Sequence, residues 1–325
     1  MWLNMRSNQS NKLDKSNRTS RLVLGTAQLG MNYGISNRTG QPDLKTAEMM
    51  VKTAWEHDIC EFDTAQAYGQ SEKILGLVFK ELDIASEAKV ITKLAPDVNH
   101  LDRIALNNAL EISLNNLGVE SLYGLMLHRE DMLDLWDKGL KKNLMAIVDS
   151  GRVKHIGISV YSPGKAVRAL NTDGISMVQL PTNIFDRRFE KTGVFDLADD
   201  LRKTIYIRSI FLQGLLLMSV DSLPEHMQFA DVVLKRLNLL ARDVGLNIKE
   251  LCVGYIKNSF PRARLIFGTE TPAQVKENLK CWNVVWPDGL TQRIQTEFED
   301  IDEIILNPSL WPKGFANARR SSEVQ

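Results

Sequence analysis

The chain has 325 residues, 44% of them hydrophobic and 25% charged, with 40 basic and 40 acidic residues and a formal net charge of +0. Such a composition predicts a globular, soluble protein with a sizeable core and argues against a disordered chain. The even charge balance gives no reason to expect nucleic acid or an anionic membrane surface as a partner, which leaves a small molecule.

Residues 1–20 are crowded with Asn, Ser, Lys and Arg and hold no apolar run long enough for a signal peptide or a span. They are expected to form a disordered leader, with the folded domain running from 21 to 325 in the cytoplasm. Cys60, Cys252 and Cys281 are far apart in sequence, which predicts reduced thiols. His57 precedes Cys60, but no further Cys or His cluster completes a metal site, so no metal is expected.

From Arg21 onward, short apolar runs alternate with longer stretches of helical period. Strands are predicted at Leu22–Leu24, Ile59–Phe62, Val90–Thr92, Tyr123–Leu127, His155–Ile158, Ser176–Gln179, Ile205–Arg208 and Leu265–Phe267. Amphipathic segments at 43–56, 71–82, 101–117 and 135–149 are long enough to cross back and start a parallel strand. Met49 and Met50, in the first of them, are expected to pack on the sheet. Eight such units predict a closed (β/α)8 barrel, the TIM barrel. The alternative is an open doubly wound sheet, but its glycine fingerprint is missing, because Gly25, Gly30 and Gly34 are wrongly spaced. Helical patterns at 229–244 and 248–258 place an extra helix between strands 7 and 8. Segments 272–279 and 290–305 predict closing helices, and the tail from 307 to 316 could fold over one mouth.

In such a barrel the site forms at the carboxyl ends of the strands. The second strand leads into Asp63, the third into Lys93 and the fourth into His128, with Tyr68 in the loop that follows Asp63. This set suits carbonyl reduction, in which charge builds on oxygen and needs a proton donor and fixed hydrogen-bond donors. Lys93 is the cation that would help a tyrosine give up its proton, Asp63 would hold the lysine, and His128 would orient the carbonyl oxygen. Taken singly, each residue has a plainer reading as a cap, a solvated end or a structural hydrogen bond.

These residues resemble the aldo-keto reductase superfamily over roughly 21–278. The most specific stretch is Asp63-Thr64-Ala65-Gln66-Ala67-Tyr68-Gly69, followed by Ser71-Glu72-Lys73-Ile74-Leu75-Gly76. Ile91-Thr92-Lys93 and Leu125-Met126-Leu127-His128 look like the lysine and histidine strands. The resemblance implies Tyr68, Lys93, Asp63 and His128 as the catalytic set. It also implies a nicotinamide cofactor, NADP by family default with NAD possible.

For that cofactor it implies Ser159 and Gln179 at the carboxamide, although Val160 stands where an asparagine is common. Arg208 and Ser209 stand where a stacking tyrosine and its neighbour are usual, and the flat guanidinium could stack instead. Gly268, Thr269, Gln274 and Asn278 resemble the last cofactor element. Lysine and arginine are frequent at the positions of Gly268 and Gln274, so a phosphate would rely on backbone N–H groups at the helix start, on Thr269 and on Lys276. Loop residues 129–132, Phe185, Phe211 and Trp311 are expected to shape the substrate pocket, and Asp186-Arg187-Arg188 is expected to be a solvated loop. The expected activity is NAD(P)-dependent reduction of an aldehyde or ketone, or the reverse. The alternatives are a slow or non-catalytic nicotinamide-binding regulator and an NAD-dependent aldose or sugar dehydrogenase.

Overall fold

The computed structural model describes residues 20–35, 37 and 40–312; the expected leader at 1–19 and the end of the tail lie outside them. Eight strands close in sequence order into one parallel barrel. They are β1 (Leu22–Gly25), β2 (Glu61–Asp63), β3 (Lys89–Leu94), β4 (Leu122–Leu127), β5 (Val153–Ser159), β6 (Met177–Pro181), β7 (Thr204–Arg208) and β8 (Arg264–Gly268). The first and last strands zip over four residue pairs, Leu22 to Gly25 opposite Leu265 to Gly268. Closure leaves no sheet edge open.

Each crossover carries a helix. They are α1 (Leu44–Glu56), α2 (Ser71–Glu81), α3 (Arg103–Leu117), α4 (Leu140–Asp149), α5 (Pro163–Leu170) and α6 (Val194–Asp200), with α7 (Asp231–Asp243) and α8 (Ile248–Ser259) both between β7 and β8. After β8 come α9 (Pro272–Trp282) and α10 (Leu290–Glu297). The extra crossover helix is therefore present. Local chemistry sets several ends. Asp43 caps α1 by accepting the Thr46 N–H, Asp102 caps α3, and Gly118 ends α3 at φ +63°. Asn247 and Glu250 form a reciprocal capping box at the start of α8.

Three sequence expectations need correction. The segment 135–149 is split by Gly139 at φ +118°, so α4 begins at Leu140, after a 3-10 stretch over Glu130–Lys138. The segment 290–305 stops at Glu297 and resumes as a short turn of helix at Glu303–Leu306, which Asp302 caps. Of the two methionines on α1, Met50 is buried, while Met49 is 42% exposed on the outer face. Helix α1 buries Ala47, Met50, Val51 and Ala54, a spacing that puts Met49 off the stripe.

The core has two layers. A large cluster fills the space between strands and helices, and a smaller one, with Val23, Ile91, Met126, Met177, Tyr206 and Ile266, fills the barrel itself. The barrel is thus packed rather than hollow, and a site can form only at its rims. No helix among the described residues is long and apolar enough to cross a membrane.

Candidate functional site

The carboxyl rim brings together Asp63, Lys93, Tyr68 and His128. Lys93, 1% exposed, directs its Nζ at Asp63, 2.7 and 2.8 Å from the two carboxylate oxygens, and lies 3.0 Å from the Thr64 carbonyl oxygen. The same nitrogen lies 5.1 Å from the centre of the Tyr68 ring. Burial alone would push the lysine pKa down, but Asp63 and Tyr68 outweigh it, and the result is raised above its ordinary value. Lys93 is therefore a fixed cation at neutral pH, held by Asp63 beneath the tyrosine.

The loop that presents Tyr68 is fastened from several sides. Thr26 donates its backbone N–H and its hydroxyl to the Asp63 carbonyl, each at 2.9 Å. The Thr64 hydroxyl donates to Ser71 Oγ at 3.0 Å, and Ser71 Oγ reaches the Thr26 carbonyl at 2.8 Å. Gln66 ties the loop outward to Ala109 and Ser113 of α3, each at 2.8 Å, and accepts the Ala95 N–H at 2.7 Å. Close backbone approach completes the mount. A Cβ at Gly30 would stand 1.7 Å from the Tyr68 carbonyl oxygen, and one at Gly69 would stand 2.3 Å from the Gly30 carbonyl oxygen. Only glycine fits at either place, and Tyr68 is immobilised by the pair.

His128 follows β4 and meets the Tyr68 ring edge-on at 5.8 Å. Burial first, and then the Lys93 and Arg208 charges, lower its pKa from 6.5 to about 4, against a smaller opposite pull from Asp63. The imidazole is neutral at pH 7 and can act as a hydrogen-bond donor but not as an acid. Gln179 on β6 donates to Asp63 Oδ1 at 2.7 Å, and Ser159, at the end of β5, stands opposite it in the sheet.

From this cluster an open trough runs toward α9. Its empty space, with the open solvent at its mouth included, is about 1050 Å³. Asp63, Tyr68, Gln179, Arg208, Ser209, Gly268, Thr269, Gln274 and Asn278 all line it, so most of the residues singled out in the sequence meet in one place. Lys93, His128 and Ser159 are not among its lining residues. Among the described residues, six buried side-chain polar atoms have no partner, and four of them belong to this group: His128 Nδ1, Arg208 Nη2, Thr269 Oγ1 and Asn278 Oδ1. Buried polar atoms are rarely left unpaired, so a cluster of them marks a place prepared for a polar ligand. Arg208, Thr269 and Asn278 line the trough, and His128 meets the ring of Tyr68, which lines it too.

Several expectations change here. The backbone N–H groups at the start of α9 are partly engaged already, because Gln274 N–H faces Thr271 Oγ1 at 3.3 Å and Glu270 N–H donates to Gln274 Oε1 at 2.6 Å. Lys276 is exposed and does not line the trough. Besides Arg208, the trough is lined by Lys249, from the first turn of α8, which pairs with Glu277. At Gly268 a Cβ would come 2.4 Å from the Gln28 side-chain nitrogen, so Gln28 fills the room that a larger residue would need. Arg208 lays its guanidinium over the Tyr161 ring at 4.3 Å, leaving it one open face at most.

Phe211 lines the trough, but Phe185 is buried against Phe298 at 5.0 Å. Trp311 donates to the Ile304 carbonyl at 2.8 Å and packs near Phe229, away from the trough. Arg129 and Asp131 pair with each other instead of lining it, and Met132 is buried. Asp186 is not solvated, because it is buried and bound to Arg188 at 2.7 Å. Sequence reasoning missed Lys249, Gln28 and Tyr33. Thr26 was within reach, since it directly follows the first apolar run.

Comparison with known proteins agrees with this geometry. The family model described as "Aldo/keto reductase family" matches residues 21–297. Aldo-keto reductase YhdN of Bacillus subtilis is 29% identical over 210 residues, which make up 61% of this chain and 60% of that relative. A protein of Arabidopsis thaliana named "Probable voltage-gated potassium channel subunit beta" is 22% identical over 277 residues, 75% of this chain and 84% of its own length. Among solved structures, the glycerol dehydrogenase of Gluconobacter oxydans superposes with a TM-score of 0.69 at 21% identity, covering 87% of this chain and 94% of that one, a likeness of fold. With the family model spanning most of its length, the chain belongs to the aldo/keto reductase family.

Proposed function

We propose that the protein is an NAD(P)-dependent reductase of an aldehyde or ketone, with Tyr68 as the general acid. The observation that carries this reading is the buried Lys93–Asp63 pair beneath Tyr68, beside a trough that Arg208, Thr269 and Asn278 line with unpartnered polar atoms. A bound nicotinamide dinucleotide would supply the hydride. The chain's own groups do the rest. Tyr68 gives a proton to the carbonyl oxygen, and Lys93 steadies the charge left on the phenol oxygen. Asp63 keeps Lys93 in place, and neutral His128 orients the carbonyl. Ser159 and Gln179 would hold the carboxamide, Arg208 and Ser209 would border the nicotinamide end, and Gly268, Thr269, Gln274 and Asn278 would cradle the adenosine end.

Proton assistance of this kind is worth ~10²–10⁴-fold in rate. Tyr68→Phe should therefore lose at least 100-fold in NADPH-dependent reduction across an aldehyde panel while its NADPH affinity stays close to that of the unaltered protein. Near-normal turnover in that variant would remove Tyr68 from the mechanism. A second reading, a slow cofactor-binding regulator, draws on the channel-subunit name of the plant relative. Tight cofactor binding with no oxidation by any aldehyde would favour it.

A further inference from the structure

Beyond a generic carbonyl, the wall of the trough carries a charge that the reaction itself does not use. Arg208 closes β7, directly beside Pro181 of β6 in the sheet, and lines the trough. One face of its guanidinium rests on Tyr161, its Nη1 has only Ser209 Oγ at 3.3 Å, and its Nη2 is buried with no partner. Among the described residues no carboxylate forms an ion pair with it, whereas Lys93, the other cation at this end, is fully matched by Asp63. Arg208 as a whole is half-buried, but its Nη2 is shut off from solvent, and an arginine fork held in this way is a ready acceptor of a carboxylate or phosphate.

The position of the charge matters as much as its freedom. Tyr33, Tyr68 and Arg208 line the same stretch of wall, Tyr161 lies under the Arg208 guanidinium, and the Arg208 charge is felt at Tyr33 and at His128. It therefore belongs to the reacting end of the trough, whereas the adenosine end has its own cation, Lys249. Asp63, Lys93 and Arg208 leave the reacting end with one net positive charge, and the nicotinamide carboxamide is neutral and cannot match it.

We infer that the carbonyl substrate carries an anionic group, a carboxylate or a phosphate, a few bonds from the reacting carbon, and that Arg208 receives it through its unmatched fork. The inference rests on the reductase reading and names the substrate class for the same site. It assigns Arg208 to substrate selection, in place of the cofactor stacking that the family resemblance implies.

The test compares matched carbonyls with NADPH as reductant: succinic semialdehyde against butanal, and glyceraldehyde 3-phosphate against glyceraldehyde. The protein should favour at least one anion over its neutral match by tenfold or more in kcat/KM, and which pair shows the larger ratio separates carboxylate from phosphate. Arg208→Gln should bring that ratio close to one. Arg208→Lys, which keeps the charge and loses the fork, should fall between. A ratio near one in the unaltered protein, or a preference that survives Arg208→Gln, would overturn the inference. So would an Arg208→Gln variant whose loss lies in NADPH affinity with the ratio intact.

If nothing turns over, it is the reductase reading that fails, and the binding of benzoate and benzamide to the NADPH complex still decides the role of Arg208. Benzoate should bind tighter, and Arg208→Gln should erase the difference. Equal binding of the two, or a difference that Arg208→Gln leaves in place, would contradict the role.

Discussion

The two rims of the barrel each bury an acid beside a base, and the two pairs are finished differently. At the amino-terminal rim, Glu61 of β2 is 2% exposed, pairs with Arg264 of β8 at 2.8 Å and accepts the Tyr206 hydroxyl at 3.1 Å. Burial pushes the Glu61 carboxyl pKa up, against the pull of Arg264 and Lys89. Among the described residues, none of these side chains is left with an orphaned buried atom. At the carboxyl rim, Lys93 and Asp63 are equally well matched, but His128, Arg208, Thr269 and Asn278 around them are not. A buried ion pair alone therefore says little about chemistry. What separates a plug from a site is the shell of polar groups left waiting beside it.

The largest expected effect lies at the carboxyl rim. Replacing Lys93 by Met should leave Asp63 as a buried, unmatched carboxylate and remove the cation beneath Tyr68. Activity should fall by about 10²–10⁴-fold, comparably to Tyr68→Phe, as steady-state reduction of an aldehyde would show. An effect confined to stability would equate this pair with Glu61 and Arg264.

At the opposite rim the pattern should invert. Glu61→Ala strands Arg264 and the Tyr206 hydroxyl, and breaking a buried pair costs about 3 kcal/mol, the lower figure being apt because Arg264 is 24% exposed. Urea unfolding should show this loss while NADPH affinity changes little. A large drop in cofactor affinity would mean that the two rims are coupled.

A smaller effect is expected from Lys249. If it meets the extra phosphate of NADPH, Lys249→Gln should weaken NADPH binding by roughly tenfold, about 1.4 kcal/mol, and leave NADH binding nearly unchanged. Equal weakening of both would assign Lys249 to the shape of α8 and to its pairing with Glu277 instead.

A last effect concerns His128, which should titrate near its lowered value of about 4. The unfolded chain takes up that proton near the ordinary 6.5, and the folded chain takes it up only near 4. This group therefore lowers folding stability as pH falls from about 6.5 toward 4, and it contributes no pH dependence above that range. An imidazole NMR titration that gave a midpoint near 6.5 would show His128 to be less enclosed than the structure has it.

Much of this arrangement was readable in the chain, and physics explains which parts were not. Asp63, Lys93 and His128 could be found because strand ends in a parallel barrel all point to one rim, and strands are marked by short apolar runs. Tyr68 came with its motif. Lys249 was invisible, because it reaches the trough only through the packing of α8 on α9, and its own neighbourhood in sequence reads as a helix cap. Gln28 sits in a single turn after β1 that no periodicity announces. Glu130–Lys138 is a 3-10 stretch ended by Gly139 in left-handed backbone, which amphipathic spacing alone does not distinguish from an α-helix. Phe185 and Trp311 follow strands or close the chain, but whether an aromatic ring faces a cavity or another ring depends on partners far away in sequence, here Phe298 and Phe229.

The central claim, that the carboxyl rim transfers hydride from a bound nicotinamide with Tyr68 supplying the proton, is tested most directly by isotope transfer. The protein would be given NADPH carrying deuterium at both positions of nicotinamide C4, together with a panel of anionic and neutral carbonyls, and the products weighed by mass spectrometry. Deuterium should appear at the carbinol carbon of at least one product, and the rate of its appearance should collapse in Tyr68→Phe. Tight NADPH binding with no label in any alcohol, or a label that arrives equally fast without the Tyr68 hydroxyl, would contradict it.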